Sequence, residues 1–255
     1  MKRYLMLPLY FLINVSVYVG GIVFLVLGAL FAFITIPFLS HHIRHKLFFG
    51  PFMGMNLRFT FSRIRVTCDP EFDPERRSVF CQTHVNLLDG QLACIVLPHE
   101  FCGMFTHWQT WIPGYGWILW MSGGIRVFPN KKNRTALITE QAKDRHKRGI
   151  SILAYPEGHR TRTGAVGPFK RGSFFMARDA GYPVVPMCVR GMFEVNQPKH
   201  KLFRPGNIEV YLGKQMETEG LTDEQIGELA DKMREIHVAW VEHRLTPAQK
   251  EVKAA

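Results

Sequence analysis

An uncharged stretch rich in Leu, Ile, Val and Phe runs from Tyr4 to Ser40 without interruption. It is far longer than the roughly 20 residues a helix needs to cross the hydrocarbon core of a bilayer. Gly20 and Gly21 lie near its middle and Pro37 near its end. Two arrangements fit: a single tilted span, or two apolar helices folded at the glycines that dip into one leaflet and return. Lys2 and Arg3 precede the stretch, and Arg44 and Lys46 follow it. This charge pattern favours the re-entrant pair, with both ends on the cytosolic side. No small-residue cleavage site follows a short apolar core, so a removable signal peptide is not expected. From Lys46 to Arg63, Phe48, Phe49, Phe52, Phe59 and Phe61 interleave with Arg58, Arg63 and two glycines, which suits an element lying on anionic lipid or a linker packed on the domain.

Beyond residue 63 the pattern changes to short apolar runs separated by amphipathic stretches. Strands are predicted at Ile64 to Cys68, Ser78 to Gln82, Glu100 to Phe105, Ile125 to Phe128, Ile150 to Ala154, Val184 to Val189 and Ile208 to Leu212. Helices are predicted around Leu88 to Leu97, Tyr115 to Met121, Arg134 to Lys147 and Gly172 to Asp179. A last helix begins at a capping box, Thr222 with Gln225, and buries Ile226, Leu229, Ala230, Met233, Ile236 and Trp240, which recur at helical spacing. Its polar face is solvated. Such alternation predicts an α/β fold, a mostly parallel β-sheet flanked by helices, after an N-terminal membrane-embedded helical segment. The expected division is residues 1–63 for the membrane-embedded and interfacial helices and 64–255 for a single domain.

Composition narrows the partners. The net charge of +11 and isoelectric point near 9.6 call for anionic ones: a phospholipid membrane, phosphate head groups, a nucleotide-bearing thioester or an acidic carrier protein. Nucleic acid is not expected, since the basic residues accompany no recognition motif. Cys68, Cys81, Cys94, Cys102 and Cys188 form no Cys-x-x-Cys pair and sit mostly in apolar runs. Reduced, buried thiols fit them better than disulfides or a metal site. Cys81, three residues before His84, leaves a nucleophilic thiol open, although its alternation within the strand makes a packing role adequate.

Two polar clusters carry candidate chemistry. The first, Thr83-His84-Val85-Asn86-Leu87-Leu88-Asp89, follows the strand ending at Gln82. A carboxylate about one helical turn after a strand-end histidine can curl back to hold one ring nitrogen while the other faces substrate. A lone His-x4-Asp spacing arises by chance in roughly a third of such chains, so its company matters. The second cluster, Tyr155-Pro156-Glu157-Gly158-His159-Arg160-Thr161-Arg162, follows the strand ending at Ala154. Sites in parallel sheets form at the carboxyl ends of strands, and both clusters fall there. Gly158 permits close backbone approach, while Arg160, Arg162, Lys170 and Arg171 crowd positive charge around the loop. An internal salt bridge is the competing role for Glu157. Between the clusters lie Trp108, Trp111, Tyr115, Trp117 and Trp120; core packing is the expected fate of at least half, and an apolar tunnel or a membrane interface would use the others. His99 and His146 read as surface residues, and no His-x3-His or Cys-His pairing suggests a metal.

In this order the clusters resemble the motifs of the 1-acylglycerol-3-phosphate acyltransferases. That family's first motif is commonly Asn-His-x-Ser-x-x-Asp, so His84 and Asp89 match while Thr83 and Asn86 replace the usual Asn and Ser, as small polar neighbours that tune hydrogen bonding. Its third motif, commonly Pro-Glu-Gly-Thr-Arg-Ser, reads Pro156-Glu157-Gly158-His159-Arg160-Thr161, and the resemblance implies that Glu157 and Arg160 position the acceptor, Arg160 through its phosphate. The second motif, a strand ending in Asp-Arg, is altered to Ile125-Arg126-Val127-Phe128-Pro129-Asn130-Lys131, with Arg126 and Lys131 as substitutes. Val184-Val185-Pro186-Met187-Cys188-Val189 resembles the fourth. The resemblance implies transfer of an acyl group from acyl-CoA or acyl-carrier protein to a lysophospholipid hydroxyl. His84 would be general base, Asp89 its orienter, with no acyl-enzyme, cofactor or metal. Two alternatives stand beside it: acylation of another lysolipid or glycerol phosphate, and a catalytically silent lipid-binding protein. The expected location is the membrane, with the catalytic domain on its cytoplasmic face.

Overall fold

The computed structural model describes residues 7–112, 115–197 and 202–244. Helix α1 (Leu7–Thr35) is continuous through Gly20 and Gly21, so the expected fold at the glycines does not occur. The chain turns instead after Thr35, around Pro37. It returns through α2 (His41–Arg44), a π-helical stretch (His45–Met53) containing Pro51, and α3 (Gly54–Arg58). Phe31 stacks on Phe48, and Phe24 meets Phe52 and Phe59 with ring centroids 5.3 and 6.0 Å apart, so the two limbs run antiparallel. The glycines serve this contact. A Cβ at Gly20 would come within 2.6 Å of the Phe59 ring, and one at Gly21 within 3.2 Å of the Asn56 amide.

All seven expected strands form, with no end shifted by more than one residue: β1 (Arg63–Cys68), β2 (Val79–Gln82), β3 (Phe101–Thr106), β4 (Ile125–Val127), β5 (Ser151–Ala154), β6 (Val184–Arg190) and β7 (Asn207–Leu212). They make one sheet in the order β1-β7-β6-β2-β5-β3-β4. Every pairing is parallel except β6 with β7. Central strands bury both faces, which is why they read as unbroken apolar runs. The helices between them are α4 (Asp89–Val96), α5 (Tyr115–Met121), α6 (Arg134–Lys147), α7 (Gly172–Ala180), α8 (Met192–Val195) and α9 (Asp223–Val241), with a 3-10 turn at His107–Trp111.

Side chains alternate along β2 and define two cores. Phe80 joins Leu88, Leu92, Met187 and Val210 on one face, while Val79 and Cys81 join Ala142, Phe174, Ala177, Ile226 and Met233 under α6, α7 and α9 on the other. Ile13 and Val17 of α1 belong to the first core and are almost fully buried. Asn14 donates to the Phe203 carbonyl at 3.0 Å and accepts from its N–H at 2.7 Å. The first part of α1 is thus packed on the sheet domain across the residue 63/64 boundary. Further along, Ile22, Leu30, Phe33 and Ile34 are exposed, and α1 is long and apolar enough to cross a membrane. The capping box of α9 is present as expected: Thr222 accepts from the Gln225 N–H, and the Gln225 side chain accepts from the Thr222 N–H.

Candidate active site

β2 and β5 are neighbours, with Cys81 opposite Ala154, so the two polar clusters leave the sheet side by side. After β2 the chain enters a turn held by buried Asn86. Its Oδ1 accepts from the Leu88 N–H at 2.7 Å, and its amide donates to the Met192 carbonyl at 2.8 Å. Asp89 then opens α4. Asp89 Oδ2 lies 2.7 Å from His84 Nδ1 and accepts the N–H groups of Val85 (2.6 Å) and Asn86 (3.0 Å). A carboxylate at that position fixes the proton on Nδ1 and leaves Nε2 as the basic nitrogen. The Tyr155 ring stacks on the imidazole with centroids 4.1 Å apart. His84 is the open member of the pair, 26% exposed against 1% for Asp89.

Burial pushes the Asp89 carboxyl above its usual range, against the pull of His84 and the two backbone N–H groups. Burial also pushes Glu157 up, opposed by the N–H groups of Gly167 and His84. Glu157, which the resemblance implied positions the acceptor, lies behind His84 and outside the cavity lining. It is buried, and its two oxygens accept the N–H of His84 (3.1 Å) and of Gly167 (3.0 Å). Among the described residues it makes no salt bridge to the nearby arginines either. The Thr161 N–H donates to the His84 carbonyl at 2.8 Å. The second cluster therefore grips the backbone of His84 on both sides and its ring on one face.

A cavity of about 1040 Å³ opens beside His84. Tyr155, Gly158 and Arg160 form its polar end, and Met104, Phe105, Ile118, Leu153 and Met176 its apolar wall, with Val17, Tyr18 and Ile22 of α1 closing one side. Its cationic lining among the described residues is Arg134, Arg160 and Lys170. Gly158 has φ +73°, and a Cβ there would come within 2.7 Å of Lys170 Nζ, so the loop closes tightly over that ammonium.

Several predicted residues lie elsewhere. Thr83 is buried behind the loop, and Arg162 is exposed outside the cavity. Arg126 is exposed on the edge strand β4, where the Gln141 side chain bonds its backbone, and does not line the cavity. Lys131 sits over the Phe128 ring, 4.6 Å from its centroid, and is also outside. Arg134 was missed; it opens α6, whose Thr135, Ile138 and Thr139 also face the cavity. Tyr155, Thr161 and Lys170 were visible in the second cluster or just after it, but their contacts with His84 or Gly158 depend on how the loop closes.

Cys81 faces the second core, and burial pushes its thiol far above the ordinary range, in keeping with packing. His99 departs from expectation. Its ring nitrogens are buried and the ring lies against Phe80, whereas His146 is exposed as expected. Trp108, Trp111 and Trp120 are exposed, not packed in the core, and Tyr115 lines the cavity. Among the described residues no group of three or more His, Cys, Asp or Glu could hold a metal ion.

An imidazole held by a buried carboxylate beside a largely apolar cavity with cations in its lining has the groups that proton transfer on an amphipathic substrate would require. Residues 63–190 match the model of the Acyltransferase family, and the chain belongs to that family. Among its relatives are human 1-acyl-sn-glycerol-3-phosphate acyltransferase alpha, 26% identical over 184 residues, and the Escherichia coli (strain K12) 1-acyl-sn-glycerol-3-phosphate acyltransferase, 26% identical over 234 residues. The alignments cover 71% of this chain and 65% of the human protein, and 91% of this chain and 92% of the bacterial one. The crystal structure of the 1-acyl-sn-glycerophosphate acyltransferase PlsC from Thermotoga maritima has the same fold. Its TM-score is 0.75 at 20% identity, covering 96% of this chain and 98% of that one.

Proposed function

We propose that the chain moves a fatty acyl group from an acyl-CoA or acyl-carrier-protein thioester to the free hydroxyl of 1-acylglycerol 3-phosphate, giving phosphatidic acid. The observation that carries this reading is the His84–Asp89 contact at the mouth of the cavity. Family membership and the names of the relatives support the substrate class. His84 Nε2 takes the hydroxyl proton as the oxygen attacks the thioester carbonyl, because a neutral alcohol is a poor nucleophile. Asp89 stabilises the imidazolium as it forms. When the tetrahedral adduct collapses, the carbon–sulfur bond breaks and His84 returns the proton to the departing thiolate. No acyl-enzyme is required, and no Gly-x-Ser-x-Gly elbow occurs in the chain.

Arg160 and Lys170 hold the acceptor phosphate at the polar end, and the apolar wall takes hydrocarbon. The enzyme works at an anionic phospholipid membrane, anchored by α1, with its catalytic domain on the cytoplasmic face. A purified His84→Ala or Asp89→Asn protein, assayed for thiol release with lysolipid present, should lose about 10³- to 10⁴-fold in rate. Wild-type rates in either would sink the reading. Acylation of a different lysolipid or of glycerol phosphate is the second reading, favoured by the altered second motif and by the placement of Arg126 and Lys131 outside the cavity. A panel of acceptors separates the two. Release of free acid without any acceptor would instead mark a thioesterase, and binding without turnover a silent lipid-binding protein.

A further inference from the structure

Three exposed tryptophans occupy the outer side of the wall that closes the cavity. On the His107–Trp111 turn, Gln109 lines the cavity while Trp108 and Trp111 are 60% and 79% exposed. On α5, Tyr115, Ile118 and Leu119 line the cavity while Trp120, on the opposite side, is 57% exposed. Surfaces facing water seldom gather such side chains, whereas indole rings concentrate where hydrocarbon meets head groups.

The helix that carries Trp120 packs beside α1. Ile118 and Met121 of α5 pack with Ile36, just beyond the end of α1, and Ile118 lies 3.6 Å from where a Cβ of Gly28 would stand. Phe33 and Phe38, exposed at 73% and 80%, extend the apolar surface from that end. On the other side, the ring of His107 lies between Trp111 (6.5 Å) and Phe128 (4.4 Å), and the Lys131 ammonium sits over Phe128. The surface thus grades from bulky apolar side chains to an exposed cation, the order met on passing from acyl chains to anionic head groups.

We propose that Trp108, Trp111 and Trp120, edged by Lys131, form a second membrane-contact surface that seats the catalytic domain on an anionic phospholipid bilayer beside α1. This rests on the reading of α1 as the membrane anchor. Both α1 and the outer side of the tryptophan-bearing segment then meet lipid. Lys131 contacts head groups of the surrounding membrane instead of the acceptor.

The test is fluorescence quenching in phosphatidylcholine/phosphatidylglycerol vesicles carrying bromine near the top of the acyl chains. The vesicles are those in which a Phe11→Trp variant, placed on the exposed face of α1, is quenched. Trp111→Phe and Trp120→Phe should each remove part of the quenchable intensity, whereas Trp240→Phe, at a site only 9% exposed within the domain, should not. Raising the phosphatidylglycerol fraction should deepen quenching of the wild type and not of Lys131→Glu. Equal quenchable intensity in the wild type, Trp111→Phe and Trp120→Phe would overturn the proposal. His84→Ala protein should quench like the wild type, so failure of the catalytic reading and failure of this one are told apart.

Discussion

The two oxygens of Glu157 each accept a backbone N–H, from His84 and from Gly167. Glu157→Gln therefore sets an amide N–H₂ against one of two donors and lets the His84 backbone shift. Since about 1 Å of misplacement can cost roughly 10²-fold, kcat should fall by about that factor while the acceptor KM holds. A raised acceptor KM with kcat retained would return Glu157 to substrate contact. Asp89 supplies a pH signature. Burial raises its folded pKa above the ordinary 3.8, so the folded protein keeps that proton to a higher pH than the unfolded chain does. Activity needing the carboxylate should thus be lost on an acid limb above the ordinary carboxylate range. By linkage, the stability this group contributes is greatest below 3.8 and declines as pH rises through the folded value. Rate profiles and denaturation at matched pH check both, and Asp89→Asn should lack that stability slope. His84 and Asp89 were legible because their contact is local, five residues apart. The partner of Glu157 lies 73 residues away, and no spacing rule encodes that.

At the level of elements, the central apolar runs gave β2, β5 and β6 because burial on both faces removes the polar alternation that would have blurred them, whereas the exposed edge strand β1 showed itself by alternation. Glycines inside an apolar helix were the misleading signal. They allow close approach as readily as a break, and here Gly20 and Gly21 admit Phe59 and Asn56. Gly20→Leu should press on that ring and cost about 1–3 kcal/mol, measured as thermal unfolding in detergent micelles. An unchanged midpoint would mean the two limbs are not held together there. The tryptophans were misjudged for a different reason. On the short α5 and the turn before it, one side faces the cavity and the other faces outward, and composition cannot tell which side a ring takes.

Across the whole molecule, strand order was beyond reach of the pattern, since the reversal between β6 and β7 leaves no trace in either apolar run. The order matters all the same. It makes β2 and β5 neighbours and brings together clusters separated in sequence by a complete set of strands and helices. The packing of α1 has a further consequence, in time. Asn14 bonds to Phe203 across 189 residues of chain, and ribosomes add roughly 5–20 residues per second. The first helix therefore emerges about 10–40 s before the backbone that completes it. Until then its amide has the Tyr10 carbonyl, one turn back, as a local acceptor. Asn14 therefore gains its Phe203 partner only once the chain has grown 189 residues beyond it.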